Sequence, residues 1–204
     1  TANPAHRFSQ SQIADFMVRA MQLNEQQSRK LRSIFKASGI EYRYSVLRDY
    51  GQEKDYTFYA NEPDFQPFPS TAKRLAVFCK AGLDVSVLAV RNLQQKFPAF
   101  DLQSVTHLIT VSCTGMYAPG LDIDLVKSLS LPTTVQRTGI NFMGCYAAFN
   151  ALKVADAFCL ADNSAKVLIV CTELCSIHFQ REPTEDNLIA NALFSDGAAA
   201  VLVE

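Results

Sequence analysis

Apolar positions recur with the three-to-four-residue spacing of a helix face in four stretches of the chain. The first predicted helix begins at Ser9, and the second follows Asn24. The third runs from Ser70 or Thr71 to about Lys96, and the fourth runs from Cys145 to Leu160. Short apolar or β-branched runs predict strands at 107–112, 133–137, 166–171 and 198–203. Helices that alternate with strands predict an α/β fold around a largely central sheet.

Turn-forming residues separate these elements. Residues 52–70 carry prolines among aromatic residues, which predicts an irregular excursion over the surface. The triplet Ser195-Asp196-Gly197 predicts a turn before the last strand, so a structural role is sufficient for Asp196. No linker, repeat or low-complexity tract interrupts the 204 residues, a length that suits one large domain.

Charge and cysteine content narrow the classes of function. A net charge of −1 gives no electrostatic case for a nucleic-acid partner. The six cysteines include no Cys-x-x-Cys pair, which favours free thiols in a reducing cytoplasm over a disulfide framework or a zinc site. No apolar run approaches the roughly 18 residues needed to span a bilayer.

Cys145 is the candidate reactive group. Gly139 and Gly144 mark a turn after the predicted strand, and an alanine-rich apolar helix follows, which predicts that Cys145 lies at or next to the first turn of a buried helix. Free N–H groups and the positive end of the helix dipole favour a thiolate at such a position. The alternative is a packing role, because a free cysteine is often only a small buried hydrophobic residue.

Four stretches resemble, in order, the type III polyketide synthases, which are the chalcone-synthase-like enzymes of the thiolase superfamily. The run Met-Gly-Cys-Tyr-Ala-Ala at 143–148 is similar to their nucleophile motif. The other three are similar to a loop after an early strand (111–122), to a strand that leads to the cavity wall (167–175), and to the gate with its following strand (192–203). The opening Thr-Ala-Asn-Pro also agrees, so the resemblance covers the whole chain.

The resemblance implies a thiolase-like fold and a longer complete protein. Residues 1–204 would form the N-terminal αβα half, carrying the nucleophile, of a two-half, five-layer αβαβα architecture. Residues 1–4 resemble the tail of the first strand of the family. A homodimer is also implied, and many plant relatives extend a methionine into the partner's cavity from the position of Ala118.

The resemblance also implies a reaction. Cys145 would accept a starter acyl group from an acyl-CoA as a thioester. Malonyl-CoA would lose CO₂, and the resulting carbanion would attack that thioester in an iterative decarboxylative Claisen condensation. The catalytic His and Asn of the family belong to the C-terminal half, and neither His107 nor His178 matches that His. No metal or redox cofactor is implied.

Four positions are assigned to the substrate cavity by the resemblance. Cys113, Cys175 and His178 would line the cavity for acyl extension, and Phe194 matches the phenylalanine at its entrance from the coenzyme A tunnel. The simpler interpretation of His178 is a hydrogen-bonded wall residue without a catalytic role.

The second predicted helix is where the family binds the phosphates of coenzyme A. Lys30 falls on one of its basic positions, and Arg32 or Lys36 would substitute for a second cation that Ser33 replaces. A basic helix face is usually only solvated, which is the simpler interpretation of these side chains.

Two other functions remain open on these residues. A ketoacyl synthase of the type that initiates fatty-acid synthesis shares the fold and the nucleophile, but it typically has alanine before the cysteine where this chain has Met143-Gly144. A non-catalytic thiolase-like domain would contain the same cysteine as a packing residue.

Overall fold

The chain contains six strands and seven α-helices, and the computed structural model describes all 204 residues. The strands are β1 (His6–Ser9), β2 (Tyr42–Ser45), β3 (His107–Ser112), β4 (Gln136–Asn141), β5 (Val167–Leu174) and β6 (Asp196–Val203). The helices are α1 (Gln10–Ala20), α2 (Glu25–Ala37), α3 (Thr71–Val77), α4 (Leu83–Lys96), α5 (Leu121–Ser128), α6 (Ala147–Ala161) and α7 (Glu185–Leu193). These elements belong to two compact units. The first unit consists of Thr1–Asn3, Leu75–Glu173 and Gly197–Glu204, and the second consists of Pro4–Arg74 and Leu174–Asp196.

The first unit is built on a sheet in the order β4-β3-β5-β6, in which β3 runs parallel to both β4 and β5. Parallel strands buried on both faces are nearly continuous apolar runs, as the sequence predicts for the strand at 166–171, which is β5. Leu108 and Leu168 face one cluster that α4 and α5 complete, whereas Ile109 and Ile169 face a second cluster that α6 completes. The predicted α/β class and the αβα layering are therefore confirmed.

Helix α6 is buried on one face only. Three of its six alanines, Ala147, Ala151 and Ala155, are fully buried, and their small side chains let the helix approach the sheet closely. Its outer face leaves Phe149 59%, Leu152 45% and Leu160 79% exposed. Within the 204 residues, the outer face of this helix is therefore uncovered, and only its inner face is buried as predicted.

The long helix predicted from Ser70 to Lys96 is continuous but irregular. Ser70 Oγ accepts a hydrogen bond from the Lys73 N–H, as the cap predicts, and a π-helical turn at Phe78–Gly82 separates α3 from α4. The Phe78 ring then packs against Gly115, where a Cβ atom would lie 2.0 Å from a ring carbon. Only glycine fits at this position of the loop after β3.

Local signals place the first two helices of the second unit correctly. Ser9 and Asn24 both form capping boxes, with Gln12 and Gln27 as the reciprocal partners. The short antiparallel strands β1, directly before α1, and β2, after α2, were not predicted, and neither were α5 and α7.

The predicted surface excursion at 52–70 is wrong in part, because its aromatic side chains are packed inside the second unit. Tyr59 and Phe65 are buried and contact Phe16 of α1, with ring centroids 5.2 and 5.6 Å away. Phe179 contacts the same ring. The segment lacks helix and strand, but it supplies much of the core of this unit.

Two predicted boundaries are also wrong. The strand predicted at 133–137 is β4 at Gln136–Asn141, because the Val135 N–H donates to the carbonyl of Pro132 and closes a turn before the strand begins. Asp196 and Gly197 belong to β6 and not to a turn. No helix of the structure has both the length and the apolar character needed to cross a bilayer.

Asp49 offers a direct test of the packing of the second unit. Its carboxylate is fully buried and accepts backbone N–H groups from Thr57, Phe58 and Tyr59. We expect Asp49→Ala to lower the free energy of unfolding of the full-length protein by about 3–5 kcal/mol, because these donors would be left unsatisfied. Urea denaturation measures the free energy of unfolding, and Glu53→Gln, a substitution of an exposed residue, is the control. A loss of unfolding free energy as small as that of the control would show that the Asp49 carboxylate does not hold residues 57–59 in place.

Candidate functional site

Cys145 lies on a strained turn between β4 and α6. Phe142, directly after β4, has φ +58°, and Gly144 has φ +62°. A 3-10 turn at Gly144–Tyr146 then leads into α6. A left-handed conformation is costly for a bulky residue such as phenylalanine, and such strain is concentrated at functional sites. The turn places Cys145 at the N-terminal end of α6, as predicted.

Cys145 is the only exposed residue among the six free cysteines. A Cβ atom built on Gly144 would meet no atom within 4 Å, so the space beside the cysteine is open. Cys171 of β5 shows the opposite environment: burial, and then the carboxylate of Glu173, raise the pKa of its thiol to about 11. Cys171 is therefore a protonated packing residue at neutral pH, whereas Cys145 is accessible to a reagent.

Cys113 lies beside the turn that carries Cys145. Its Sγ atom is 3.8 Å from the carbonyl oxygen of Gly144 and donates to it. Its backbone N–H donates to both carboxylate oxygens of Glu173, at 2.8 and 3.1 Å. Thr114 donates its hydroxyl to the same carboxylate at 2.6 Å. The structure thus brings the predicted nucleophile together with one of the four predicted cavity residues.

Glu173 is a residue of this site that the sequence analysis did not single out. It stands at the end of the otherwise apolar strand β5 and fixes the first two residues of the loop after β3 through the bonds just described. A single carboxylate in a buried strand needs such partners to offset its desolvation. One acidic residue in the run Val-Leu-Ile-Val-Cys-Thr-Glu-Leu was the signal that could have identified it.

A small cavity of about 150 Å³ opens at the carboxyl ends of β3 and β4. The lining is polar and comes from both strands and the following loop, including Ser112, Asn141 and Asp122. Loops at these strand ends form binding crevices in open α/β sheets. The lining residues do not include Cys145 or Cys113, so we do not assign this cavity to the acyl chain.

The other predicted cavity residues belong to the second unit. Cys175 and His178 are brought together on one 3-10 turn directly after β5, and both are half-buried. Asp196 fixes this turn, since its Oδ1 atom accepts the Ser176 N–H at 2.7 Å. Asp196 is buried, and desolvation raises the pKa of its carboxyl. This confirms the structural role expected for it.

The three candidate cations on α2 do not form one patch. Lys30 donates to Glu185 of α7 at 2.7 Å, and Arg32 pairs with Asp15 of α1. Residues two positions apart project to different sides of a helix, whereas Arg32 and Lys36, four apart, share a face. Any phosphate that binds Lys30 or Arg32 competes with the carboxylate already there.

His107 is placed far from Cys145. It begins β3, whereas Cys145 follows the opposite end of the parallel strand β4, and His107 pairs with Gln136 at the start of that strand. Its buried ring stacks on Phe158 at 4.3 Å between centroids. No group of three or more His, Cys, Asp or Glu side chains is placed to hold a metal ion.

Comparison with known proteins gives a match along the whole chain. The family model for chalcone and stilbene synthases, N-terminal domain, matches residues 1–204. A probable polyketide synthase 1 of Dictyostelium discoideum is 28% identical over 200 residues, which are 98% of this chain and 6% of that protein. The alpha-pyrone synthesis polyketide synthase-like Pks18 of Mycobacterium tuberculosis is 30% identical over 204 residues, all of this chain and 49% of that protein.

Two solved structures are similar over nearly the whole chain. The C-terminal type III polyketide synthase domain of Steely1, a hybrid synthase from Dictyostelium, superposes with a TM-score of 0.86 at 28% identity. PKS-I from the brown alga Ectocarpus siliculosus superposes with a TM-score of 0.88 at 30% identity. In both cases the match covers 98% of this chain and 53% of the other. The chain therefore spans about half the length of these solved chains and of Pks18.

Proposed function

Because this chain belongs to the chalcone and stilbene synthase family, as its N-terminal domain, we propose that it supplies the nucleophilic half of a polyketide-forming acyltransferase. Its fold is the thiolase-like fold of the type III polyketide synthases. The family assignment favours this function over the ketoacyl synthase considered from the sequence.

The observation that carries the proposal is the position of Cys145. It is the exposed cysteine of the chain and follows a turn with two left-handed residues at the N-terminal end of α6. The left-handed conformations of Phe142 and Gly144 in this turn are of the kind that is concentrated at functional sites. An accessible sulfur next to backbone N–H groups is the arrangement that thioester chemistry needs.

In the proposed loading step, the thiolate of Cys145 attacks the carbonyl carbon of an acyl-CoA. A bond forms between that carbon and the sulfur, the bond to the coenzyme A sulfur breaks, and coenzyme A leaves as a thiolate that takes up a proton. In the extension step, malonyl-CoA loses CO₂ and the resulting carbanion attacks the acyl thioester. A carbon–carbon bond forms, Cys145 is released as a thiolate, and the lengthened chain is carried by coenzyme A.

The same proposal assigns the catalytic His and Asn to a C-terminal half that relatives of twice this length contain. Within the 204 residues, Glu173 and Cys113 hold the loop beside the nucleophile in place. Their proposed contribution is to position the turn at Gly144, since the Cys113 thiol donates to its carbonyl. Acyl-CoA and malonyl-CoA are the proposed substrates, a homodimer the proposed assembly, and no metal or redox cofactor enters the scheme.

For the cavity, we propose that Cys113, Cys175 and His178 line the space into which the chain grows and that Phe194 stands at its entrance. The half-buried 3-10 turn that carries Cys175 and His178 is fixed by a buried carboxylate, as expected for a wall that must keep its shape. Lys30, Arg32 and Lys36 are proposed to bind coenzyme A phosphates. The exposed ion pairs of Lys30 and Arg32 would open at little cost.

Cysteine labelling combined with a substrate panel tests the proposed function. The full-length protein is treated with limiting iodoacetamide at neutral pH, and peptide masses identify the labelled cysteine. It is then incubated with a panel of acyl-CoA starters and malonyl-CoA, and the products are read by mass. We expect Cys145 to react first and polyketides to appear; fast labelling elsewhere, without products, would indicate a non-catalytic domain.

Bulkier side chains on the 3-10 turn are expected to shorten the product. In Cys175→Phe and His178→Trp the cavity wall would move inward, so fewer extensions should fit, whereas loading of the starter on Cys145 should change less than about threefold. Product masses and the rate of thioester formation measure the two effects separately. If loading collapses while the product distribution stays the same, these residues do not line the cavity.

A further inference from the structure

Two buried side chains hold the C-terminal end of α7, where Phe194 lies. The Arg43 guanidinium donates from Nη1 to the carbonyl oxygens of Asn191 and Phe194, both at 2.7 Å. Gln10 donates from Nε2 to the carbonyl oxygen of Ala192 at 2.8 Å. The carbonyl groups of a last helical turn have no partner within the helix, so these bonds decide where the end of α7 is placed.

Arg43 and Gln10 act as one unit. The Gln10 Oε1 atom accepts a hydrogen bond from Arg43 Nε at 2.8 Å, and the two side chains are only 6% and 7% exposed. Burial lowers the pKa of Arg43 to about 10, so the guanidinium is still charged at neutral pH. The buried Nη2 atom of this guanidinium has no hydrogen-bond partner, so the bonds from Nε and Nη1 alone offset the cost of burying the cation. Hydrogen bonds from a charged donor are the stronger ones.

The residue after Phe194 is bound to β2, the strand that carries Arg43. Ser195 Oγ donates to the Tyr44 carbonyl oxygen at 2.8 Å and accepts the Tyr44 N–H at 3.0 Å. The Phe194 ring itself is 52% exposed. The main chain on both sides of Phe194 is therefore attached to β2, while its ring projects from this attachment.

We propose that Arg43, together with Gln10, is a positioning residue that sets the place of the Phe194 ring and thereby determines which acyl-CoA starters are accepted. The proposal rests on the function proposed above and on Phe194 standing at the entrance of the cavity. A ring at a constriction selects by size. If its backbone is released, the ring can move aside and longer acyl groups pass.

The test compares starters of two lengths in the full-length protein. Thioester formation on Cys145 is followed by mass for hexanoyl-CoA and dodecanoyl-CoA, and kcat/KM is obtained for each. Arg43→Lys keeps the charge but loses the planar guanidinium, whose Nε donates to Gln10 while Nη1 donates to the two carbonyls, and Gln10→Leu removes the bond to Ala192. We expect either variant to raise the dodecanoyl-to-hexanoyl ratio about fivefold. Arg7→Lys, at an exposed arginine of β1, is the matched control and should leave the ratio unchanged.

A double-mutant cycle separates positioning from a general effect on folding. In a Phe194→Leu background the ratio should already be raised, and adding Arg43→Lys should change it no further. A merely structural role would lower both rates in proportion to the folded fraction, which circular dichroism reports, and would leave the ratio unchanged. That outcome overturns the proposal. If Arg43→Lys does not fold, the dodecanoyl-to-hexanoyl ratio of Gln10→Leu is the test of the positioning role.

The outcomes also separate this inference from the function on which it rests. Failure of the unmodified full-length protein to load Cys145 would overturn both. If the protein loads Cys145 and Phe194→Leu changes the ratio, but neither Arg43→Lys nor Gln10→Leu does, the function stands and only the positioning role is overturned.

Discussion

Replacement of Cys145 by alanine in the full-length protein is expected to abolish formation of the acyl-enzyme, with a loss on the order of 10³-fold or more in loading rate. The reason is that no other cysteine of the chain is exposed. The fold should be unchanged, since removing an exposed sulfur shifts the free energy of unfolding by at most about 0.5 kcal/mol. Intact-protein mass after incubation with an acyl-CoA measures the loading.

A matched control is available in Cys159→Ala. Cys159 lies on α6, the helix that follows Cys145, and it packs against the cluster between this helix and the sheet. Its loss should reduce stability by about 1 kcal/mol and leave loading within about threefold of the unmodified protein. Acyl groups that still attach to the Cys145→Ala variant at another residue would contradict the assignment of the nucleophile.

The parts of the fold that the sequence predicted best are those that neighbouring residues determine. Ser9 and Asn24 cap their helices through side chains three positions away, and such signals are fully contained in a short window. Strand β3 was predicted with its correct bounds, because a short, mostly apolar run with β-branched residues, bounded by polar residues, is typical of a strand.

The parts that the sequence predicted poorly depend on distant partners. Strand β4 begins where Gln136 pairs with His107, and nothing within 133–141 specifies that register. Asp196 looks like a turn residue locally, yet its carboxylate accepts N–H groups from Val46 and Ser176, which are remote in sequence. The four-residue strands β1 and β2 stabilise each other and are too short for a periodic pattern.

In the candidate site too, the features that neighbouring residues determine could be predicted, and those that depend on distant residues could not. The nucleophile could be predicted, because the glycine turn and the helix that follows it are adjacent in the sequence. Glu173 was missed because its role depends on the Cys113 N–H, which belongs to another strand's loop. The cation positions were predicted from the resemblance, whereas the helical period places Lys30 and Arg32 on different sides of α2 and leaves only Arg32 and Lys36 on one face.

Because one face of α6 is exposed, we expect residues 1–204 expressed alone to be poorly soluble or molten. Phe149, Leu152 and Leu160 project from this face and contribute large apolar side chains to the surface. Large apolar side chains exposed on one helix face favour association unless a partner covers them. We expect the proposed C-terminal half to be that partner, because the chain spans about half of its relatives' length.

The fragment is also expected to make no polyketide, because the proposed His and Asn would be absent. Co-expression with the C-terminal half should restore solubility and product formation together, as read by size-exclusion chromatography and product mass. Phe149→Gln with Leu152→Gln sharpens the test: the substituted fragment should aggregate less alone, but it should fail to associate with the C-terminal half. A fragment that is monomeric, unfolds cooperatively and condenses malonyl-CoA by itself would contradict the prediction, because α6 would then need no cover and Cys145 no partner residues.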